Sequence, residues 1–223
     1  MTMLSYLFWT VLSFFSGSVM YSYLIPKLLY KKDITQLSDD HNPGCGNVFT
    51  LIGIPCGILC LVLELAKGAL PVWLALRYVS AKNMMFAGIL AAPVLGHAFS
   101  PMLRNKGGKA IAVTFGVLIG LCSRSLLLFV LAAALVIFST VLRITPHSMR
   151  VMVSYAVMLA CAFFIESNIP VLFGTAIITV TVIYRHMKDY RQREHLQFDL
   201  YLFSIHLFGH DTVRQELSHK NNA

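Results

Sequence analysis

Three polar stretches interrupt an otherwise apolar chain, and each carries residue types suited to holding an anion. The densest is Arg104-Asn-Lys-Gly-Gly-Lys109. Adjacent glycines such as Gly107 and Gly108 let a backbone approach a ligand with no Cβ in the way, while Lys106 and Lys109 can each set an ammonium against a phosphate. The spacing is not that of a Walker A loop, because G-x-x-x-x-G-K-[ST] is absent. Anchoring at the inner membrane surface would account for the lysines alone. It leaves the paired glycines without a reason.

The second stretch is "DITQLSDDHNPGCGNVF", residues 33–49. Pro43, Gly44 and Gly46 oppose a regular helix and favour a tight turn, after which Asn47 is expected to open the next helix. Such a turn aims several backbone N–H groups at one anion, with help from the positive end of the helix dipole. Asn42, Gly44 and Asn47 are then candidate ligands. The plainer alternative is an inter-helix loop capped by Asn47. The third stretch, "IYRHMKDYRQREH" at 183–195, holds Arg185, His186, Lys188, Arg191 and Arg193. That density suffices for lipid anchoring. Near a phosphoryl group, however, an imidazole donates hydrogen bonds or moves a proton around neutral pH. A further polar pair lies within apolar text in "LELAKGALP", residues 63–71. Glu64 and Lys67 share a helix face and can neutralise one another, as part of a site or as a structural pair. Gly68 and Pro71 then predict a bend.

These residues have to be positioned by elements that live in lipid. The 223 residues are 57% hydrophobic and only 13% charged, with a mean hydropathy of +0.70, against about 25% charge in ordinary soluble chains. Windows near the ~20 residues that cross a hydrocarbon core recur along the chain. Seven are expected, at roughly 4–26, 48–76, 84–103, 110–123, 125–142, 150–166 and 168–184, which gives an all-α seven-helix membrane bundle. With the N-terminus outside, fourteen of the eighteen Lys and Arg fall in inner segments and only Arg77, Lys82 and Arg124 in outer ones. This asymmetry places the C-terminus in the cytoplasm. All three polar stretches then share the cytoplasmic face. A formal net charge of +8 is met by anionic lipid and an anionic substrate, so nucleic acid is not required.

No Lys or Arg precedes Lys27, so the first span lacks the charged leader of a cleaved signal peptide and is expected to stay. Cys45, Cys56, Cys60, Cys122 and Cys161 form no disulfide framework, and neither they nor the histidines make a metal site. No cofactor is called for. One membrane domain is expected over 1–194. Residues 195–223 are read as a cytoplasmic extension, either interfacial or docking a partner.

Taken in order, the motifs resemble one family, the integral membrane acyl-phosphate glycerol-3-phosphate acyltransferases of bacteria known as PlsY. "SGSVMYSYLIPKLL" from Ser16 is similar to the family's opening Gly-Ser helix with its later Lys, and "HNPGCGNV" to S-G-N-P-G-A-T-N-V. "LELAKGALP" is similar to L-D-x-x-K-G-x-x-P, "VLGHAFSPMLRNKGGKAIA" to G-H-x-F-P-x-F-x-x-F-K-G-G-K-G, and "IYRHMKDY" to Y-R-H-x-x-N. The resemblance runs from residue 16 to about 191. It implies a seven-span enzyme of phospholipid biosynthesis in the bacterial plasma membrane, active on the cytoplasmic face. Its substrates would be acyl phosphate and glycerol 3-phosphate, acylated at the 1-hydroxyl to give lysophosphatidic acid. By matched position, Lys109, His186 and Asn47 would be catalytic. Asn42, Gly44, Lys106, Gly107, Gly108, His97 and Arg185 would bind substrate or its phosphate. A diverged relative with another acceptor, or a non-catalytic lipid-binding protein of the same fold, are the alternatives.

Five positions depart from the family pattern. Asp40-His41 stands where the family has Ser-Gly, Thr50 replaces an Arg, Asp189 replaces an Asn, and Ala110 replaces the Gly after the last Lys of its motif. With both acids ionised the pocket becomes about three charge units more negative, enough to matter beside a phosphate. A dianionic acceptor is therefore expected to bind less well here.

Overall fold

The computed structural model describes residues 2–190 and 197–200. Helices dominate, since a chain in lipid has to satisfy its backbone polar groups internally. In order they are α1 (Met3–Ser18), α2 (Tyr21–Tyr30), the short α3 (Ile34–Leu37), α4 (Cys45–Leu51), α5 (Ile54–Tyr78) and α6 (Phe86–Ala98) with a single 3-10 turn at Pro101–Leu103. α7 (Ile111–Leu121), α8 (Leu127–Thr140), α9 (His147–Ile165) and α10 (Ile169–Tyr190) follow. Strand β1 (Leu142–Thr145) pairs antiparallel with β2 (Gln197–Leu200), so a small ribbon is added to the all-α architecture expected. The rest of the extension beyond residue 200, read as interfacial, lies outside the described residues, as do Arg191 and Arg193.

All seven apolar windows contain helix, but not seven helices of spanning length. Among the described residues, Ile54–Tyr78, Phe86–Leu103, His147–Ile165 and Ile169–Lys188 are long and apolar enough to cross a membrane. The pair α1 and α2, bent by 41°, makes a fifth if it counts as one span. α7 and α8, at 11 and 14 residues, fall short of the ~20 that a straight crossing needs. The second window also differs, for it is split into α4 and α5. Gly53 sits at φ +127°, a backbone region that side chains rarely enter, and Pro55 supplies no N–H at the first turn of α5, which together end one helix and start another.

Large side chains including Phe8, Phe15, Leu29, Phe129, Phe164 and Ile169 are exposed, a surface that water would not tolerate and lipid would. Between helices, lipid removes the hydrophobic driving force, and close backbone approach takes its place. A Cβ on Gly17 would run into the Pro93 carbonyl and one on Gly96 into that of Phe14, which seats α1 against α6. Gly68 and Gly116 do the same for α5 and α7, facing the carbonyls of Val113 and Leu65. At one end of these helices aromatic rings gather, with Trp9 stacked on Tyr78 at 5.6 Å and Arg77 over the Trp73 ring at 3.8 Å. Such belts mark a membrane boundary.

The break between α1 and α2 is held by the buried pair anticipated from the sequence. Lys67 Nζ lies 2.6 Å from Glu64 Oε2 and donates to the Val19 carbonyl at 2.5 Å. Glu64 Oε1 accepts from the backbone N–H of Ser22 at 3.2 Å. A cation thus closes the carbonyl end of one helix and an anion the amide end of the next, in the sense their dipoles favour. Both side chains are 1% exposed.

Candidate active site

Beside this pair, a cavity of about 710 Å³ opens among the turn before α4, α5 and the segment leading into α7. Its polar floor includes Asp40, Asn42, Asn47, Glu64, His97 and Lys109. Its wall is apolar, with Phe49, Leu61, Leu65, Ile111, Phe115 and Ile119. One end therefore suits a charged head and the other a hydrocarbon tail.

The floor is organised around Asp40. Lys109 Nζ lies 2.8 Å from its Oδ2. Asn47 Nδ2 donates to Oδ1 at 2.8 Å and also to the Asn42 carbonyl at 2.8 Å, while the Asn42 backbone N–H reaches Oδ1 at 3.2 Å. Burial pushes the Asp40 carboxyl up, but the hydrogen bonds from Lys109 and Asn47 outweigh it and hold the group below its ordinary value. The sign follows directly: the stabilisation is complete above the unfolded carboxylate pKa and disappears as pH falls through the lower folded one. At neutral pH this is an ion pair.

Asn47 was expected to cap a helix, and it does not. α4 begins at Cys45 with Gly44 as its cap, and Asn47, inside the helix, folds its amide back onto the turn. Being only 7 residues long, α4 also lacks the dipole that a full span would have lent to the turn. A Cβ on Gly44 would meet the Asn42 amide at 2.7 Å, so a larger residue there would displace that side chain.

Gly107 and Gly108 have a different use from the one anticipated. Both are buried. A Cβ on Gly107 would strike the His97 carbonyl and one on Gly108 would strike His97 Nε2, while the Gly108 N–H donates to the His97 carbonyl at 3.2 Å. The glycines seat the segment that leads into Lys109 against His97. The imidazole in turn joins the buried pair, with Nδ1 2.9 Å from Lys67 Nζ and 3.2 Å from Glu64 Oε2. From the far side, Arg185 on α10 donates to the Gly107 carbonyl. Arg185 thus braces the glycine segment.

Besides Gly107, Gly108 and Arg185, two more expected site residues lie off the cavity lining. Lys106 is exposed and does not line the cavity, because the chain at Arg104 and Asn105 turns through positive φ and carries it outward. His186 is fully buried on α10, where Nδ1 contacts the Val182 carbonyl at 2.9 Å. Its ring lies 6.4 Å from that of His147, and it is His147 that lines the cavity. His147, at the first position of α9, was the signal missed.

Ala110 shows what its substitution for Gly costs. It caps α7 at φ +64°, in the left-handed region where a Cβ is penalised by about 1–2 kcal/mol. Ala110→Gly is expected to stabilise the protein by up to about 1 kcal/mol after the extra freedom of glycine in the unfolded chain is discounted. Thermal unfolding in detergent would show it as a small rise in the midpoint.

A family model described as glycerol-3-phosphate acyltransferase matches residues 7–194. Glycerol-3-phosphate acyltransferase 2 of Bacillus anthracis is 31% identical over 187 residues, covering 82% of this chain and 92% of that one. The Maridesulfovibrio salexigens glycerol-3-phosphate acyltransferase is 38% identical over 117 residues, covering 52% of this chain and 58% of its relative. In that alignment the chain spans little more than half the length of the relative. Among solved structures, the chain is similar to PlsY, an integral membrane glycerol 3-phosphate acyltransferase, in its glycerol 3-phosphate form. The TM-score is 0.74 at 25% identity, over 86% of this chain and 94% of that one. The same protein in a lysophosphatidic acid form gives 0.72. Matched along most of its length, from α1 through α10, the chain belongs to the glycerol-3-phosphate acyltransferase family.

Proposed function

We propose that the protein transfers a fatty acyl group from acyl phosphate to the 1-hydroxyl of glycerol 3-phosphate, releasing lysophosphatidic acid and inorganic phosphate. The observation that carries this is the cavity itself, in which a lysine and the Asn42–Asn47 turn face the same space as a long apolar wall. An acyl phosphate has those two ends. The names of the relatives, and the two ligand forms of the similar crystal structure, support the acceptor and the product.

In the reaction, the acceptor oxygen attacks the acyl carbon and the bond from that carbon to the phosphate oxygen breaks. Phosphate leaves with the electron pair and ends with the proton of the hydroxyl, so charge and atoms balance. Lys109 and the Asn47 amide offset negative charge as it builds on the departing group, in a recess where such contacts outweigh those in water. Holding both reactants in one cavity supplies much of the remaining acceleration. Asn42 and Gly44 shape the turn, and His97 sets the position of the glycine segment. Lys106 and His186 are assigned no contact with substrate in this reading.

The membrane reading goes with it. We assign seven crossings, with α7 and α8 as short ones, the N-terminus outside and the cavity on the cytoplasmic face of a bacterial plasma membrane. The distribution of cations supports that orientation, and the aromatic cluster at the far end of α5 marks one boundary of the membrane. Residues 1–194 form the catalytic unit and 195–223 its extension.

Purified protein given acyl phosphate labelled in the acyl chain, together with glycerol 3-phosphate, is expected to form labelled lysophosphatidic acid and one phosphate per turnover. Product formed only with an uncharged acceptor would support the second reading, which the charge of Asp40 beside Lys109 favours. With neither acceptor giving product, a non-catalytic lipid-binding protein remains.

A further inference from the structure

Asp40 lines the cavity, and its carboxylate accepts from three donors, two from its own turn and one from 69 positions further along the chain. They are the Lys109 ammonium at 2.8 Å, the Asn47 amide at 2.8 Å and the Asn42 backbone N–H at 3.2 Å. One cation, one side-chain amide and one backbone N–H converging on oxygen atoms is the donor set of a phosphate site. Here the oxygens belong to the protein. The carboxylate is partly reachable, with side-chain exposures of 28% for Asp40 and 19% for Lys109, so a solute in the cavity meets the pair directly.

We propose that Asp40 is a built-in competitor for the phosphate subsite and the residue that sets how strongly this cavity binds a phosphate dianion. A substrate phosphate reaches Lys109 and Asn47 only by displacing the carboxylate or by sitting beside it. In the first case Asp40 gives up three hydrogen bonds, and in the second two anions crowd one ammonium. Either course weakens binding of the dianion while leaving an uncharged group unaffected. The consequence is a raised KM for the phosphate-bearing substrate and a narrowed preference for phosphorylated over uncharged acceptors. This rests on the cavity being the phosphate site assigned above. It adds a determinant that the family's own pattern does not supply, because Asp40 stands where that pattern has no acid.

Asp40→Asn keeps the shape and removes the charge, and Asp40→Ser removes both. Inorganic phosphate is the first probe, read as its protection of each purified protein against thermal unfolding. Both variants are expected to bind it about tenfold more tightly than the parent, the size of a lost charged competitor. Acyl phosphate and glycerol 3-phosphate are then titrated separately in the transfer assay. KM is expected to fall about tenfold for whichever phosphate occupies this subsite, with kcat changing far less, a split that a merely structural role would not give. Unchanged or weaker phosphate binding in both variants would overturn the proposal. Tighter phosphate binding in protein that makes no lysophosphatidic acid would sustain it and remove the acyltransferase reading instead. Lysophosphatidic acid production with unmoved KM values would do the reverse.

Discussion

Lys109→Ala is expected to lower kcat/KM for acyl transfer by about 10²–10³-fold, the usual cost of deleting one preorganised donor from a site where negative charge develops. The protein should still fold and still sit in the membrane. Its pair with Asp40 is partly exposed, at 19% and 28% of the two side chains, so losing it costs about 1 kcal/mol or less. Activity and stability therefore separate in this variant. Lys109→Arg restores the charge but replaces a compact ammonium with a planar fork, and recovers only part of the rate. Parallel measurements of turnover and of the unfolding midpoint in detergent test the prediction. Full activity in the alanine variant would remove the assignment.

Lys67→Ala is expected to act on stability first. Glu64 would lose its nearest cation in a setting where 1% of the side chain is exposed, and the Val19 carbonyl at the helix break would lose its donor. Removing one partner of a buried ion pair costs about 3–5 kcal/mol, a large share of the stability of a membrane domain of this size. The double variant Lys67→Met with Glu64→Gln removes both charges and, measured against Lys67→Met and Glu64→Gln singly, should recover much of that loss, because no uncompensated ion remains. The cycle is read from unfolding midpoints. Equal destabilisation by the single and double variants would show that the charges do not stabilise one another through this contact.

The polar residues were visible in the sequence because apolar text makes them conspicuous. Glu64 and Lys67 needed only helical spacing to be paired on paper, and they are paired. Lys109 and the turn at Asn42–Asn47 could be nominated together from their types, yet the contact between them crosses 69 positions of sequence. Nothing local in the chain announced that Asp40 would be the residue to bridge them. The glycines were correctly marked as places where a Cβ does not fit. What they approach is His97, and no reading of Gly107-Gly108 alone distinguishes a ligand from a neighbouring helix end. Asn47 illustrates the limits of capping rules, since its amide N–H donates to Asp40 and to the Asn42 carbonyl on the turn, whereas a capping oxygen would accept from the first N–H groups of a helix. Helix lengths were also less legible than helix locations. Composition marks 110–123 and 125–142 as apolar, whereas the left-handed Ala110 and the non-helical link between α7 and α8 set where those helices end.

In the proposed reaction one cavity holds the phosphate head of an acyl donor on Lys109 and Asn47 and lays its chain along Phe49, Leu61 and Phe115. A structure of the protein with a non-hydrolysable acyl phosphate analogue tests it most directly. Phosphate oxygens are expected within about 3 Å of Lys109 Nζ, the range of a charged hydrogen bond, with Asp40 turned away or crowded and the acyl chain against Phe49, Leu61 and Phe115. A phosphate bound away from Lys109, or an acyl chain lying on the outer lipid-facing surface, would contradict it.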